Sequence, residues 1–443
     1  MKKTFTLLFA IVSFSATSQN KIEYLQNNRF DLTKSTFEFP QKDFQLIGFG
    51  AYHGSQKTET TEIALLKSLT NEGTIKYYLP ETDFSIAYYF NDFLKTGDTI
   101  LLKELVEHYG SRVPQDKSIS TYKKWLELKT LNDELPKEDK LTVLGVDLLV
   151  SYKYTTKHLL ELIDSKMHTR KSVDDLAKMI ENDTIDFFPF SATYSKQILE
   201  DFVEDYEKNS VEFKGYILDN FTFLHILKNL KETFVDFDNS SKRERLMYEN
   251  YVALSSHYQF KKKPQFARFG FFHLEKQWEG TNPSFFLQLI KNNIIQRDRI
   301  ISVIGYLTES RVLWGRVLDD NGNYKDYNTE GGYGIGDYEK EYFLGIEKLK
   351  ESKISDITLF RLNQKHSPYS NGIPDLMEIV MTEEKSNGEL VKGKSTTEYL
   401  DYAVLISNSQ ASIPIEEIDK KRCLTMYIKN TRNSSKIQDC GPQ

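Results

Sequence analysis

Four short apolar runs in this chain each stop at an ionisable residue, and that regularity constrains its fold more than any other feature. The first, Phe44-Gln45-Leu46-Ile47-Gly48-Phe49-Gly50-Ala51-Tyr52, stops at His53-Gly54. The others, over 75–80, 141–146 and 265–272, stop at Glu81, Asp147 and His273. Apolar runs this short, bounded by glycine, proline or polar residues, read as buried strands. The segments after the first two carry apolar residues at helical spacing: Ile63, Leu65, Leu66 and Leu69, then Ile86, Tyr89, Phe90 and Phe93. Strand alternating with helix predicts an α/β fold, a mainly parallel sheet flanked by helices and joined by right-handed crossovers.

In such a sheet the carboxyl ends of the strands open on one crevice, where ligands bind. His53, Glu81, Asp147 and His273 therefore form the candidate site. Two imidazoles and two carboxylates can move protons: a neutral imidazole takes a proton from water, and a carboxylate fixes its tautomer. The same types could hold zinc or iron. No Gly-x-Ser-x-Gly elbow and no His-Glu-x-x-His motif is present, so activated water is favoured over a serine nucleophile, with Ser55 beside His53 the remaining alternative.

From about 155 to 262 the pattern is helical, with helices expected near 198–206, 216–230 and 243–258. This predicts a large helical insertion covering one end of the sheet. His225 falls inside an apolar helical pattern and reads as a core residue. The sheet resumes with strands at 299–307, 357–360 and 402–406. Asp319-Asp320-Asn321-Gly322-Asn323 and Ser386-Asn387-Gly388 read as hairpin turns, and Gly331-Gly332-Tyr333-Gly334-Ile335-Gly336 as a mobile loop. The expected organisation is a leader at 1–18, the first half of the α/β domain at 19–154, the insertion at 155–262, and the second half with a C-terminal tail at 263–443.

The leader rests on Met1-Lys2-Lys3-Thr4, an apolar run over 5–14, and Ser15-Ala16-Thr17-Ser18. A basic start, a short apolar core and small residues describe a signal peptide, too short to span a bilayer. The expectation is a periplasmic or secreted protein with no transmembrane anchor after cleavage. Removing the leader takes away two lysines and no acid, leaving the chain more acidic than its formal charge of −6. A basic nucleic-acid footprint is absent, and Lys261-Lys262-Lys263 and Lys420-Lys421-Arg422 read as solvated loop charge. Cys423 and Cys440 could pair in an oxidising compartment or remain free thiols. Oligomeric state is open, and the expected partner is a small molecule.

At these residues the chain resembles the erythromycin esterase-like family. Gly50-Ala51-Tyr52-His53-Gly54 stands where that family has Gly-Glu-x-x-His-Gly. Leu79-Pro80-Glu81-Thr82-Asp83-Phe84 is similar to its Leu-Glu-Ala-Gly-Phe strand end. Trp125-Leu126 and Gly145-Val146-Asp147 match its Trp-Leu helix and Gly-x-Asp in order. Arg243-Glu244-Arg245-Leu246-Met247-Tyr248-Glu249-Asn250 resembles its Arg-Asp-x-x-Met-Ala-x-Asn helix, and a strand leading to His273 follows. The resemblance covers about 44–310. It implies hydrolysis of an ester or lactone without an obligatory metal or other cofactor. By it, His53 and His273 would be catalytic, Glu81 would position water, and Asp147, Arg243 and Asn250 would support substrate. The chain departs from the pattern at Gly50 (an acid in the family), at Glu127 (an arginine) and around Phe271-Phe272-His273-Leu274. A rival reading is a non-catalytic binder of haem, metal or another small molecule in the same cleft, and a third is an inert scaffold.

Overall fold

The computed structural model describes residues 21–418 except 71–74, 111, 183–185, 190, 236–239 and 281. The expected leader, Lys420-Lys421-Arg422, Cys423 and Cys440 lie outside the described residues. In chain order the strands are β1 (Arg29–Asp31), β2 (Leu46–Ala51), β3 (Tyr77–Pro80), β4 (Thr142–Val143), β5 (Gln265–Phe269) and β6 (Ile300–Thr308). They continue with β7 (Val312–Leu318), β8 (Tyr324–Glu330), β9 (Asp337–Tyr338), β10 (Glu341–Phe343), β11 (Ile357–Arg361), β12 (Ile379–Met381) and β13 (Tyr402–Ser407).

Eight of these form one sheet in the order β1-β11-β13-β6-β2-β5-β3-β4. From β13 to β4 every neighbour pair is parallel, and only β11, against β1 and β13, runs antiparallel. The chain thus adopts the α/β fold with a mostly parallel sheet. β7 and β8 make a separate antiparallel hairpin whose turn begins at Asp319, as expected from Asn321-Gly322. β12, β10 and β9 form a small third sheet.

The sheet is buried on both faces because side chains alternate between two cores. Leu46, Leu79, Phe269 and Ile304 join one, with Met247, Tyr251 and Leu254 of the Ser240–His257 helix. Ile47, Phe49, Tyr78 and Phe266 join the other, with Leu65, Phe90 and Trp125 of the Gln56–Thr70, Phe84–Thr96 and Ile119–Glu134 helices. Trp125 stacks on Phe90 at 3.7 Å. Between β4 and β5 the described chain forms helices, and its His225 is buried within the Asn220–Lys231 helix beside Phe84. Burial pushes that imidazole down to about 4, so it is a neutral core residue. No described helix is long and apolar enough to cross a membrane.

Three local expectations change. The third run keeps only two residues in the sheet, because the backbone at Asp83 crosses it. A side chain on Gly145 would lie 2.0 Å from the Asp83 carbonyl oxygen, so only glycine permits the crossing. The fourth run leaves the sheet at Phe269 and tightens into a 3-10 turn, Phe271–Leu274, so His273 sits on a turn and not directly at a strand end. Asn387 begins the Gly388–Val391 helix instead of a hairpin. Its side chain accepts from the Ile379 amide and donates to the Met377 carbonyl, which ties it to β12. The glycine-rich stretch at 331–336 is pinned by Gly334 donating to Glu341 and Gly336 to the Leu307 carbonyl.

Candidate active site

β2, β5, β3 and β4 are neighbours, so their carboxyl ends deliver His53, His273, Glu81 and Asp147 to one region. Each arrives by a different local device. After β2 the chain turns at Gly54, whose φ is +82°, and its carbonyl accepts from the Leu313 and Ser412 amides. After β3 comes Glu81-Thr82-Asp83. Asp83 caps the Phe84–Thr96 helix by accepting from the Ser85 and Ile86 amides, and its second oxygen accepts from Val150.

Glu81 is the hub, with 2 % of its surface exposed. Its Oε1 accepts from Arg243 Nη2 at 2.5 Å and its Oε2 from the Gly270 amide at 2.9 Å. His53 Nε2 lies 3.5 Å from Oε2, and His273 Nε2 lies 3.8 Å from Oε1. Two imidazoles therefore face one carboxylate, one at each of its oxygens. Each is held from behind by a carboxylate of its own: Asp116 lies 2.9 Å from His53 Nδ1, and Glu244 accepts from His273 Nδ1. With both Nδ1 atoms donating to carboxylates, the neutral rings keep a lone pair on the Nε2 atoms that face Glu81.

The Ser240–His257 helix supplies Arg243 and Glu244 because its Met247, Tyr251 and Leu254 face is packed on the sheet. Arg243 holds Asp147 through two bonds, Nε to Oδ1 at 3.0 Å and Nη2 to Oδ2 at 2.5 Å. Arg112 adds a bond to Asp147 at 3.2 Å and reaches the carbonyls of Leu148 and Leu149. Asn250 does not join this cluster. Its amide donates to the Val146 carbonyl and exchanges bonds with Asn229, which fixes the backbone next to Asp147.

The charges follow from these contacts. Burial alone would raise the Glu81 carboxyl, but Arg243, His53 and His273 outweigh it and hold the pKa below the ordinary range. Burial likewise opposes ionisation of Asp147, yet Arg112 and Arg243 hold it far below. Asp116 is held at about 2 against burial by His53, with Arg268 and Lys124 beyond. Burial would lower the His53 pKa, but Asp116 and then Glu81 raise it above the usual imidazole value. Behind this dyad lies a buried ion cluster in which Lys124 pairs with Glu59 at 2.8 Å and Glu62 at 3.0 Å.

His53 also lines a cavity of about 530 Å³ whose walls include Phe271, Tyr306, Leu307, Phe343, Met377 and Ile379. Asp147, Arg243 and Asn250 are not part of its wall: the first two belong to the charged centre, and Asn250 braces the backbone beside Asp147. Ser55 points away from His53 and donates to Ser409 at 2.6 Å. Among the described residues no three His, Cys, Asp or Glu side chains are arranged to hold a metal ion.

Asp116, Glu244 and Arg112 were missed by the sequence reading. Glu244 carried a signal, since it occupies the acidic position of the Arg-Asp helix motif. Asp116 sits in a short Pro114–Asp116 turn between helices, with no local pattern to mark it.

Fold and site together define an α/β protein with a histidine–carboxylate centre at the carboxyl edge of a mostly parallel sheet. Several solved structures share its fold. A Bacillus cereus protein superposes with a TM-score of 0.61 at 15% identity, over 90% of this chain and 99% of its own. A succinoglycan biosynthesis protein gives 0.61 at 12%, over 89% and 98%. A histidine-to-asparagine mutant of erythromycin esterase EreC in its open conformation gives 0.55 at 11%, over 84% and 93%. At these identities the fold is what is shared. No protein-family model and no curated protein matches the sequence.

Proposed function

We propose that this protein is an exported, divergent erythromycin esterase-like hydrolase that cleaves a carboxylic ester or lactone with activated water. The observation that carries the reading is the pair of carboxylate-backed imidazoles facing Glu81, one of which, His53, borders the large cavity. Export is supported by the charge and hydropathy pattern of residues 1–18.

In this mechanism water sits beside Glu81 Oε2 and His53 Nε2, which are 3.5 Å apart, within reach of both. His53 Nε2 takes its proton as the oxygen attacks the carbonyl carbon, and Asp116 steadies the imidazolium. The tetrahedral intermediate then collapses with cleavage of the acyl C–O bond. The departing alkoxide takes the proton from His53 and leaves as an alcohol, or remains attached when the substrate is a lactone. Glu81 stays ionised throughout because Arg243 and the Gly270 amide hold its charge. His273 faces the other Glu81 oxygen, and when its ring carries a second proton its Nε2–H can donate toward oxygen charge that develops in the intermediate.

Capture of a small molecule without turnover is the second reading. Gly50 favours it, because it removes an acid from the motif around His53. The deciding experiment is hydrolysis of an ester and lactone panel by the wild type, His53→Ala and His273→Ala, each with and without chelator. Chelator-resistant turnover abolished by His53→Ala supports the hydrolase. Binding of panel members with no turnover by the wild type overturns it in favour of capture.

A further inference from the structure

The wall of the large cavity also carries two carboxyl groups, Glu275 and Glu279, that the proposed chemistry does not use. Glu275 has only 2 % of its surface exposed, and its Oε2 has no hydrogen-bond partner. A buried polar atom left unpaired is costly unless something else meets it. Glu279 is half-buried and accepts from Asn387 at 2.5 Å. The nearby walls are aromatic: Tyr306 and Phe343 pack at 4.9 Å and Phe271 and Phe343 at 5.6 Å.

The charged surroundings of Glu275 are one-sided. Glu279 acts on it with like charge and through a carboxyl–carboxylate hydrogen bond, Glu244 adds like charge, and the cation acting on it is Lys394. That ammonium is already engaged by the carbonyls of Trp278 at 2.5 Å and Leu390 at 2.9 Å. The neighbouring phenols offer Glu275 no donor, since Tyr306 donates to the Leu376 carbonyl and Tyr399 to the Trp278 carbonyl.

We propose that Glu275 and Glu279 form a subsite for a basic amine carried on an apolar body, the body filling the aromatic cavity that His53 borders. A neutral hydrogen-bonding ligand would meet the free Glu275 oxygen but bring no counter-charge, leaving the proton on the Glu275–Glu279 pair. An ammonium meets both needs, and aromatic walls favour it further. Burial, then Glu279 and Glu244, hold the Glu275 carboxyl well above its usual range, so the empty site keeps a proton there. When an ammonium enters, the carboxyl ionises and that proton passes to the buffer. Binding stands independently of the proposed hydrolysis; the claim that the bound amine is the substrate rests on it.

The test is calorimetric titration of the full chain at neutral pH with phenylhexylamine and its neutral counterpart phenylhexanol, in phosphate and in Tris. The amine is expected to bind more than about ten-fold tighter. Its apparent enthalpy should differ between the buffers, because a proton is released, while that of the alcohol should not. Glu275→Gln should bring the two affinities within about three-fold and remove the buffer dependence. Should that buried variant fail to fold, Glu279→Gln provides the same comparison at the half-buried partner. Equal binding of amine and alcohol, an amine advantage that survives in the folded variants, or no binding of either probe overturns the subsite. An amine that binds as expected while no ester is hydrolysed leaves the subsite standing and removes the hydrolase. Esters cleaved equally well with and without an amine, together with equal probe binding, do the reverse.

Discussion

Asp116 lies 2.9 Å from His53 Nδ1, on a turn 63 residues further along the chain. Its carboxylate is ionised well into acid, held at about 2. It therefore orients the imidazole and raises its pKa without competing for the proton.

Replacing Asp116 by Asn keeps the shape and removes that charge. We expect kcat to fall by ~10²–10⁴-fold with little change in KM. The pH profile carries a second signature. His53 must be neutral to act as base, and its pKa is raised above the usual imidazole value, so the acid limb of kcat/KM in the wild type should lie above ~6.5. Without Asp116 the limb should move to lower pH. A limb that stays in place would detach Asp116 from the base.

The strand ends that build the centre were legible because a buried parallel strand has to be a short apolar run, and its first polar residue marks the crevice. His53, Glu81, Asp147 and His273 were found in this way. The partners of the two imidazoles were not. Asp116 reaches His53 only through packing of the Pro114–Asp116 turn against β7, where Arg316 donates to the Pro114 carbonyl, and no periodicity encodes that. The strand leading to His273 was read too long, because Gly270-Phe271-Phe272 is as apolar as a strand. What ends it is the Gly270 amide donating to Glu81, a contact between distant segments. Asn250 shares its helix face with Arg243, yet about two further turns carry it past the charged cluster to the Val146 carbonyl.

Arg243 is the common counter-ion of Glu81 and Asp147, and its removal would leave Glu81 without a guanidinium and Asp147 with Arg112 alone. Arg243→Met is expected to lower stability by ~3–5 kcal/mol in urea unfolding. Arg243→Lys keeps the charge but lacks the two-pronged hold on Asp147, so its stability should fall less than that of the Met variant. Equal losses in the two variants would mean that the bidentate geometry, rather than the charge, supplies the stability.

Asp147 sets the pH dependence of that stability. Its folded pKa is depressed, so its contribution is fully present above the unfolded value of ~4 and is lost as pH falls through the folded one. The stability difference between wild type and Asp147→Asn should therefore be largest near neutral pH and shrink steadily below pH ~4. A difference independent of pH would assign the effect to packing alone.

Ser55 stands two residues after His53 and would be the nucleophile if this were a serine hydrolase. Its hydroxyl instead donates to Ser409 at 2.6 Å, and the Ser409 hydroxyl also receives the Lys57 amide. Ser55→Ala should cost about 1 kcal/mol of stability and leave kcat within a few-fold of wild type. Loss of turnover in a folded Ser55→Ala protein, or trapping of an acyl group on Ser55, would replace activated water with covalent catalysis.

Glu244 does for His273 what Asp116 does for His53, and comparing the two assigns their roles. His53 borders the cavity, whereas His273 faces Glu81 from the side of the Ser240–His257 helix. If His53 is the base, Glu244→Gln should reduce kcat by less than Asp116→Asn does, and the acid limb governed by His53 should hardly move. The Glu244 Oε2 atom is buried with no partner, and an amide nitrogen in its place would be equally unpaired, so the melting temperature should change little. A Glu244→Gln effect larger than that of Asp116→Asn, with the acid limb shifting in this variant alone, would transfer the base to His273 and leave His53 to bind the developing oxyanion.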